Sequence, residues 1–285
     1  MGALAYRHLV ILQALLLLSA CAGIPAASQR LAQADALALQ AGWQRMTVET
    51  SYFTLQTYLP AFPTGTGTGT LTIYIEGDGL AWLDRSTPST NPTPLNPLAL
   101  QLALRDTTPS AYLARPCQFV AAAQWRNCRD KYWTSHRFAG EVIESSRQAV
   151  DHLKRQFGAE KLILVGYSGG GAVAALVAAG RQDVTRLITI AGNLEPDLWA
   201  KQAALSPLRG SLNPADAWQQ LVHIPQTHFV GGKDRIVSEQ LARAYAARFP
   251  ADAQPKIVVL PEFDHHRPWL EYWPALKDRD SNVLR

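Results

Sequence analysis

The chain has 285 residues, of which 47% are apolar and 18% are charged, which excludes wholesale disorder and allows a sizeable buried core. At roughly 100–200 residues per domain, this length corresponds to one large domain or two small ones. The formal net charge of +4 is thinly spread and the three cysteines form no C-x-x-C pair, so we expect neither a nucleic-acid partner nor a structural metal site.

The first twenty residues carry the pattern of a targeting signal. Arg7 precedes a mostly apolar run from Leu9 to Leu18, which is too short to span a bilayer comfortably. The run ends in Leu-Ser-Ala-Cys, which resembles the bacterial lipobox, in which the cysteine is lipidated and becomes the new N-terminus. The resemblance implies a lipid on Cys21, and Ala22 after it implies the outer membrane, with the protein facing the periplasm. An ordinary signal peptide with a chance cysteine is the alternative.

This interpretation divides the chain into a signal peptide at 1–20, a lipid-anchored tether at 21–45 and a folded domain at 46–285. The tether is rich in alanine and glutamine, and a loose amphipathic helix is the alternative for it. Export would also place the two remaining cysteines in an oxidising compartment. We predict that Cys117 and Cys128 form a disulfide, since an even remainder of cysteines in an exported protein favours pairing.

The folded part alternates strands with helices. Apolar and β-branched runs predict strands at 47–59, 71–75, 111–114, 161–165, 186–191, 228–230 and 256–260. Helical periodicity predicts helices at 98–104, 139–157, 172–179 and 238–249, the last with Ser238 as a possible cap. The segment 193–218 has no clean period and is expected to lie over the sheet as an insertion. The alternation predicts an α/β protein with a mostly parallel sheet and helices on both faces.

One motif predicts a nucleophile. Residues 166–170 read Gly-Tyr-Ser-Gly-Gly and fit G-x-S-x-G, between an apolar strand and a helix of small residues. In a sharp strand-to-helix turn of this kind the central residue, here Ser168, is exposed above the sheet. The following helical turn directs backbone N–H groups and its positive end at the reacting atom. A glycine-rich turn without chemistry is the alternative.

The same glycines also fit a second pattern. Residues 169–174 match the dinucleotide fingerprint with alanine last. The acidic residue that should follow about twenty positions later is not cleanly placed, because Asp183 comes too early and Glu195 lies beyond the next strand. We therefore expect no cofactor.

A serine nucleophile needs a base and an orienting acid. Asp234 follows one predicted strand, and His265 and His266 follow the last one, which gives the chain order Ser, acid, His. Since catalytic groups collect at the carboxyl ends of parallel strands, we predict that His265 takes the proton of Ser168 and that Asp234 orients it. His266 is the alternative base, and Glu195 is the alternative acid.

Attack on an acyl carbon also needs two preorganised donors for the oxyanion. The first is expected to be the backbone N–H of Gly169, which follows the nucleophile. The second should come from the loop Glu76-Gly77-Asp78-Gly79, because its glycines let the backbone approach a substrate closely. Asp78 is the predicted donor, with Gly79 as the alternative.

These motifs resemble the α/β-hydrolase fold family over roughly residues 50–275. The resemblance implies a serine hydrolase, and carboxylic ester hydrolysis through an acyl-enzyme, on a small-molecule or lipid-like ester, is the expected reaction. A peptidase, a thioesterase or a non-catalytic envelope lipoprotein are the alternatives. Many members have His-Gly where this chain has Glu76-Gly77.

Three tryptophans are candidates for pocket lining or for plain packing: Trp82, Trp199 and Trp218.

Overall fold

The computed structural model describes residues 23–61 and 69–282. The predicted signal peptide and the predicted lipidation site at Cys21 lie outside the described residues. Among the helices that are described, none combines the length and apolar character needed to cross a bilayer.

Strands and helices alternate along the described chain. The strands are β1 (Trp43–Glu49), β2 (Thr54–Pro60), β3 (Thr70–Ile75), β4 (Ser110–Leu113), β5 (Lys161–Tyr167), β6 (Val184–Ile190), β7 (Gln226–Gly231) and β8 (Lys256–Leu260). The helices are α1 (Ala27–Gln40), α2 (Leu98–Ala103), α3 (Gly140–Phe157), α4 (Gly169–Ala179), α5 (Pro196–Gln202), α6 (Trp218–Leu221), α7 (Glu239–Ala246) and α8 (Trp269–Asn282). Short 3₁₀ turns occupy Ala122–Gln124, Asp130–Trp133, Pro214–Ala217 and Ala251–Ala253.

The strands form one sheet in the order β1-β2-β4-β3-β5-β6-β7-β8. β1 and β2 are antiparallel, β2 is antiparallel to β4, and every pairing from β4 to β8 is parallel. The predicted mostly parallel sheet is therefore confirmed. In register, Ile75 pairs with Gly166 and Tyr167 pairs with Ile190, so the carboxyl ends of β3, β5 and β6 lie side by side.

A hydrophobic core lies on each face of the sheet. Ile73 and Leu164 belong to one core, which also holds the buried faces of α3 and α4. Tyr74 and Val165, one position further along each strand, belong to the other core, with α1, α2 and α8. Because successive side chains of a strand point to opposite faces, the two cores sandwich the sheet. The central strands are thus buried on both sides, as their apolar sequences predict.

The expected tether at 21–45 needs correction. Within it α1 packs on β1, and Ala34 and Ala38 are buried in the second core. The small alanine side chains let the helix approach the sheet, and Asp35 accepts a hydrogen bond of 2.8 Å from the Tyr58 hydroxyl. β1 already begins at Trp43, so the folded unit starts before residue 46.

Two local predictions have different outcomes. Cys117 and Cys128 form the predicted disulfide. Ser238 does occupy the N-cap position of α7, but its hydroxyl makes no capping hydrogen bond, so the predicted side-chain cap is wrong. The Ser238 oxygen is buried and has no hydrogen-bond partner among the described residues.

Candidate active site

Ser168 stands at the sharp turn between β5 and α4. Its backbone has φ 52° and ψ −123°, a conformation that is strained for a residue with a side chain. A Cβ at Gly166 would overlap the backbone of Gly170, and a Cβ at Gly170 would overlap the carbonyl oxygens of Ile75 and Glu76. The glycines on both sides of Ser168 are therefore required by the packing of the turn, as the motif predicts.

The structure brings the three predicted catalytic residues together. His265 Nε2 lies 3.0 Å from the Ser168 hydroxyl oxygen, and His265 Nδ1 lies 2.8 Å from Asp234 Oδ2. The other carboxylate oxygen of Asp234 accepts hydrogen bonds of 2.8 Å from the backbone N–H groups of Ile236 and Val237. The side chain of Asp234 is 0% exposed, so these bonds hold it in one orientation. This arrangement suits proton transfer from Ser168 to His265.

The two alternative residues are engaged elsewhere. His266 Nδ1 lies 2.8 Å from the Tyr167 hydroxyl, beside the site but away from Ser168. Burial lowers the pKa of His266, and the neighbouring His265 lowers it further. Glu195 accepts hydrogen bonds of 3.2 Å from Asn213 and from Arg248. The geometry thus selects His265 and Asp234 as partners of Ser168, while their catalytic roles stay predictions.

The loop at residues 76–79, called the oxyanion loop below, lies against Ser168. A Cβ at Gly77 would be 3.2 Å from the Ser168 Cβ, and a Cβ at Gly169 would overlap the Asp78 carboxylate. Within the described chain, the backbone N–H groups of Gly169 and Asp78 donate no hydrogen bond. Two unused donors next to the predicted nucleophile match what an oxyanion hole requires.

Two arginines that the sequence analysis did not single out hold the Asp78 side chain. Arg115 Nη1 lies 3.1 Å from Oδ1, and Arg137 Nη1 lies 2.6 Å from Oδ2. Burial by itself raises the pKa of the Asp78 carboxyl, but the charges of Arg137 and Arg115 outweigh burial and hold the pKa below its ordinary value. Asp78 is therefore a carboxylate with two cationic partners.

Glu76 stands where many proteins with similar motifs have histidine. Its carboxyl is buried and accepts hydrogen bonds from the N–H of Gly77 at 3.0 Å, the N–H of Ala99 at 3.4 Å and the hydroxyl of Tyr112 at 3.2 Å. Burial raises the pKa of Glu76 to about 7, although these hydrogen bonds act in the other direction. The side chain ties the start of the oxyanion loop to α2 and β4.

A cavity of about 920 Å³ opens above Ser168 and His265. Much of its wall is apolar, contributed by Leu80, Ala81, Trp82, Leu95, Trp199, Leu205, Leu208, Ile236 and Val237. Four of these side chains form an exposed apolar rim: Trp82, Leu95, Leu205 and Ile236. Two of the three candidate tryptophans thus line the cavity, whereas Trp218 packs against Phe249.

In the described part of the chain, no group of three or more His, Cys, Asp or Glu side chains could hold a metal ion.

The dinucleotide pattern is explained by the chain's own packing. A Cβ at Gly169 would overlap the Asp78 carboxylate, and a Cβ at Gly171 would lie 2.9 Å from the Cα of Gly192. A carboxylate therefore lies near the N-terminus of α4, where the fingerprint would require a pyrophosphate. These glycines let the oxyanion loop and the end of β6 approach the helix.

Comparison with known proteins identifies the fold. No protein-family model matches the sequence, and no curated protein matches it. Among solved structures, Est1E from Butyrivibrio proteoclasticus is similar, with a TM-score of 0.58 and 16% identity over 84% of this chain and 98% of Est1E. The Pyrococcus furiosus esterase Pf2001 has a TM-score of 0.58 and 13% identity, over 86% of this chain and 93% of its own.

A third similar structure is an α/β serine hydrolase homologue from Coxiella burnetii, with a TM-score of 0.56 and 14% identity over 85% of this chain and 97% of that one. At identities this low, the structural similarity establishes the fold alone. The chain has an α/β-hydrolase fold, as the sequence motifs predicted, and it resembles esterases and serine hydrolases of that fold.

Proposed function

We propose that the chain is a serine hydrolase that cleaves carboxylic esters through an acyl-enzyme. The observation that carries the proposal is the hydrogen-bonded series Ser168–His265–Asp234, with contacts of 3.0 and 2.8 Å at the floor of an open cavity. A serine hydroxyl is a weak nucleophile until a base takes its proton, and this series supplies the base and its orienting acid.

The reaction follows from these positions. As the Ser168 oxygen attacks the ester carbonyl carbon, its proton passes to His265 Nε2, and the carbonyl oxygen becomes an oxyanion facing the N–H groups of Gly169 and Asp78. The intermediate collapses, the bond to the alcohol oxygen breaks, and His265 returns the proton to that oxygen. Water then attacks the acyl group, gives a proton to His265, and releases the acid as Ser168 regains the proton.

The cavity supports an ester with a sizeable apolar part. Its wall is largely apolar, and the exposed rim places more apolar surface at the mouth, where burial of a substrate contributes about 25 cal/mol per Å². A lipid-like or aromatic ester fits this chemistry. Est1E, one of the similar structures, has been solved with ferulic acid bound, so aromatic acyl esters belong among the test substrates.

Lipidation of Cys21 would hold the enzyme at the outer membrane, facing the periplasm, near envelope lipids. Each CH₂ of acyl chain that enters the bilayer contributes about 0.8 kcal/mol, so several chains would anchor the protein stably. Mass spectrometry of the mature protein tests this part. An acylated N-terminal Cys21 is expected, and a mature chain with an unmodified Cys21 would contradict the anchor.

A panel of p-nitrophenyl esters of increasing acyl length, with aromatic acyl esters, thioesters and peptide anilides beside them, tests the reaction. We expect ester turnover that rises with acyl length or aromatic content. Preference for the anilides or thioesters would contradict ester hydrolysis, and the absence of any turnover would favour the non-catalytic alternative.

A further inference from the structure

We propose that Gln118, Arg115 and Arg137 position the second oxyanion donor, by holding the peptide unit between Gly77 and Asp78 from two sides. The inference rests on the proposed hydrolase function, because only a reaction with an oxyanion gives such a donor a task. We refer to these three side chains, with the Asp78 carboxylate, as the clamp.

The first half of the clamp acts on the peptide unit itself. Gln118 Nε2 donates a hydrogen bond of 2.9 Å to the Gly77 carbonyl oxygen. In a trans peptide the carbonyl and the N–H point in opposite directions, so fixing the Gly77 oxygen also fixes the Asp78 N–H. Gln118 is 1% exposed and lies outside the cavity wall, whereas Gly77 and Asp78 line the cavity. The Asp78 N–H therefore points away from Gln118, towards the cavity side of the loop.

The Gln118 amide is itself held in one orientation. Its Oε1 accepts a hydrogen bond of 3.2 Å from the backbone N–H of Arg115. With the oxygen engaged there, the NH₂ group faces the Gly77 carbonyl. The neighbouring residue Cys117 is bonded to Cys128, which fixes the segment that carries Gln118. The hydrogen bond to the loop thus comes from a rigid part of the chain.

The second half of the clamp acts through the Asp78 side chain. Arg115 and Arg137 each bind one oxygen of its carboxylate. Arg115 also donates to the backbone carbonyl of Arg137, and Arg137 Nε donates a bond of 2.8 Å to the Thr134 carbonyl. Both arginine side chains are at least 94% buried, so each has little freedom to release the carboxylate. Asp78 is consequently fixed at its side chain and at its preceding peptide.

The charges of the clamp also favour an oxyanion. An unpaired carboxylate close to Gly169 would repel the negative charge that develops on the substrate, because attraction and repulsion are strong in a buried site. Two guanidinium groups against one carboxylate leave the clamp itself with a net charge of +1. Arg137 also lines the cavity, so this positive charge lies at the cavity wall.

The experiment compares matched buried glutamines. Gln118→Met keeps the size of the side chain and removes the donor to Gly77. Gln226→Met is the control, because Gln226 is also buried and donates to a backbone carbonyl at 3.3 Å. Its acceptor is Leu221, which does not line the cavity, whereas the acceptor of Gln118 is Gly77, which does. Three quantities are measured on a p-nitrophenyl ester and a trifluoromethyl ketone, which forms a tetrahedral oxyanion on Ser168: kcat, KM and the inhibition constant of the ketone.

We expect Gln118→Met to lower kcat by about 10²-fold, close to the effect of losing one oxyanion donor. KM should stay within about threefold, and the inhibition constant of the ketone should rise by a factor similar to the loss in kcat. Gln226→Met should leave all three quantities within about threefold of wild type, whatever it does to the melting temperature. A merely structural role of Gln118 would not separate the two variants in this way.

A second pair covers the case in which Gln118→Met does not fold. Arg137→Gln is compared with Arg181→Gln, since Arg181 is also buried and also pairs with carboxylates, those of Asp151 and Asp183, but does not line the cavity. Arg137→Gln should lower kcat and weaken binding of the ketone, and Arg181→Gln should change neither quantity.

Two results would overturn the inference. One is a Gln118 or Arg137 variant whose kcat and ketone affinity equal those of its control. The other is a rise in KM alone, which would make the clamp part of substrate binding. A wild-type enzyme that neither turns over esters nor binds the ketone would instead remove the proposed hydrolase function itself, so the two failures are distinguishable.

Discussion

His265 and His266 are adjacent in the chain but serve different hydrogen bonds. His265 joins Ser168 to Asp234, while His266 bonds to the Tyr167 hydroxyl. The centroids of the two imidazole rings lie 4.9 Å apart, and the ring planes are almost perpendicular, at 88°. Since neighbouring side chains diverge, only one of them can reach the nucleophile.

This difference predicts opposite results for two alanine variants. His265→Ala should lower kcat by a factor on the order of 10⁶, because the base that activates Ser168 is lost. His266→Ala should retain activity within about tenfold, since it removes a contact to Tyr167 and part of the cavity wall but leaves the base in place. The rate of Ser168 acylation measures both. An inactive His266 variant beside an active His265 variant would show that the base is wrongly assigned.

The orienting acid can be tested with a matched pair of carboxylates. Asp234→Asn should lower kcat by roughly 10⁴-fold, because the amide favours the wrong tautomer of His265. Glu195→Gln should have little effect on kcat, as Glu195 bonds to Asn213 and Arg248 instead. Steady-state kinetics of the two variants on one ester gives the answer. Near-normal activity of Asp234→Asn together with an inactive Glu195→Gln would reassign the acid.

Glu76 should make stability depend on pH. Burial raises its pKa from the ordinary 4.5 to about 7, so between these values the folded chain holds a proton that the unfolded chain has lost. The free energy of unfolding therefore falls as pH rises from about 4.5 to about 7, by at most about 3 kcal/mol from this group. Glu76→Gln mimics the protonated side chain and removes this decrease.

The measurement is the difference in melting temperature between Glu76→Gln and wild type at several pH values. The difference is informative because His228 acts in the opposite direction: burial lowers its pKa to about 3, which destabilises the fold in acid for both proteins. We expect the melting temperature of Glu76→Gln to rise relative to that of the wild type as pH rises from about 5 to about 8. A difference that is constant with pH would mean that Glu76 ionises normally in the fold.

The sequence predicted that Ser168, Asp234 and His265 lie together because their positions depend on local features. Ser168 lies in a motif between a strand and a helix, and Asp234 and His265 directly follow strands of a parallel sheet. Chain order and the common edge of the sheet were then sufficient to predict that they meet.

The clamp could not be predicted in the same way. Arg115 and Arg137 reach Asp78 across 37 and 59 residues, from irregular segments without a period or motif. Gln118 follows a cysteine in a loop, and which carbonyl it binds depends on the folded position of the oxyanion loop. Likewise, the alanines of α1 give no strong apolar pattern, although their small size is what lets the helix pack closely.

Labelling with a fluorophosphonate tests the central claim most directly, namely that Ser168 is the activated nucleophile. The probe reacts covalently with a serine only when a base activates it. Peptide mapping should find the phosphonyl group on Ser168 in the wild type and in Ser206→Ala, a control serine in the same cavity wall, and should find none in Ser168→Ala or His265→Ala. A wild-type protein that is folded but unlabelled, or labelled at another residue, would contradict the account.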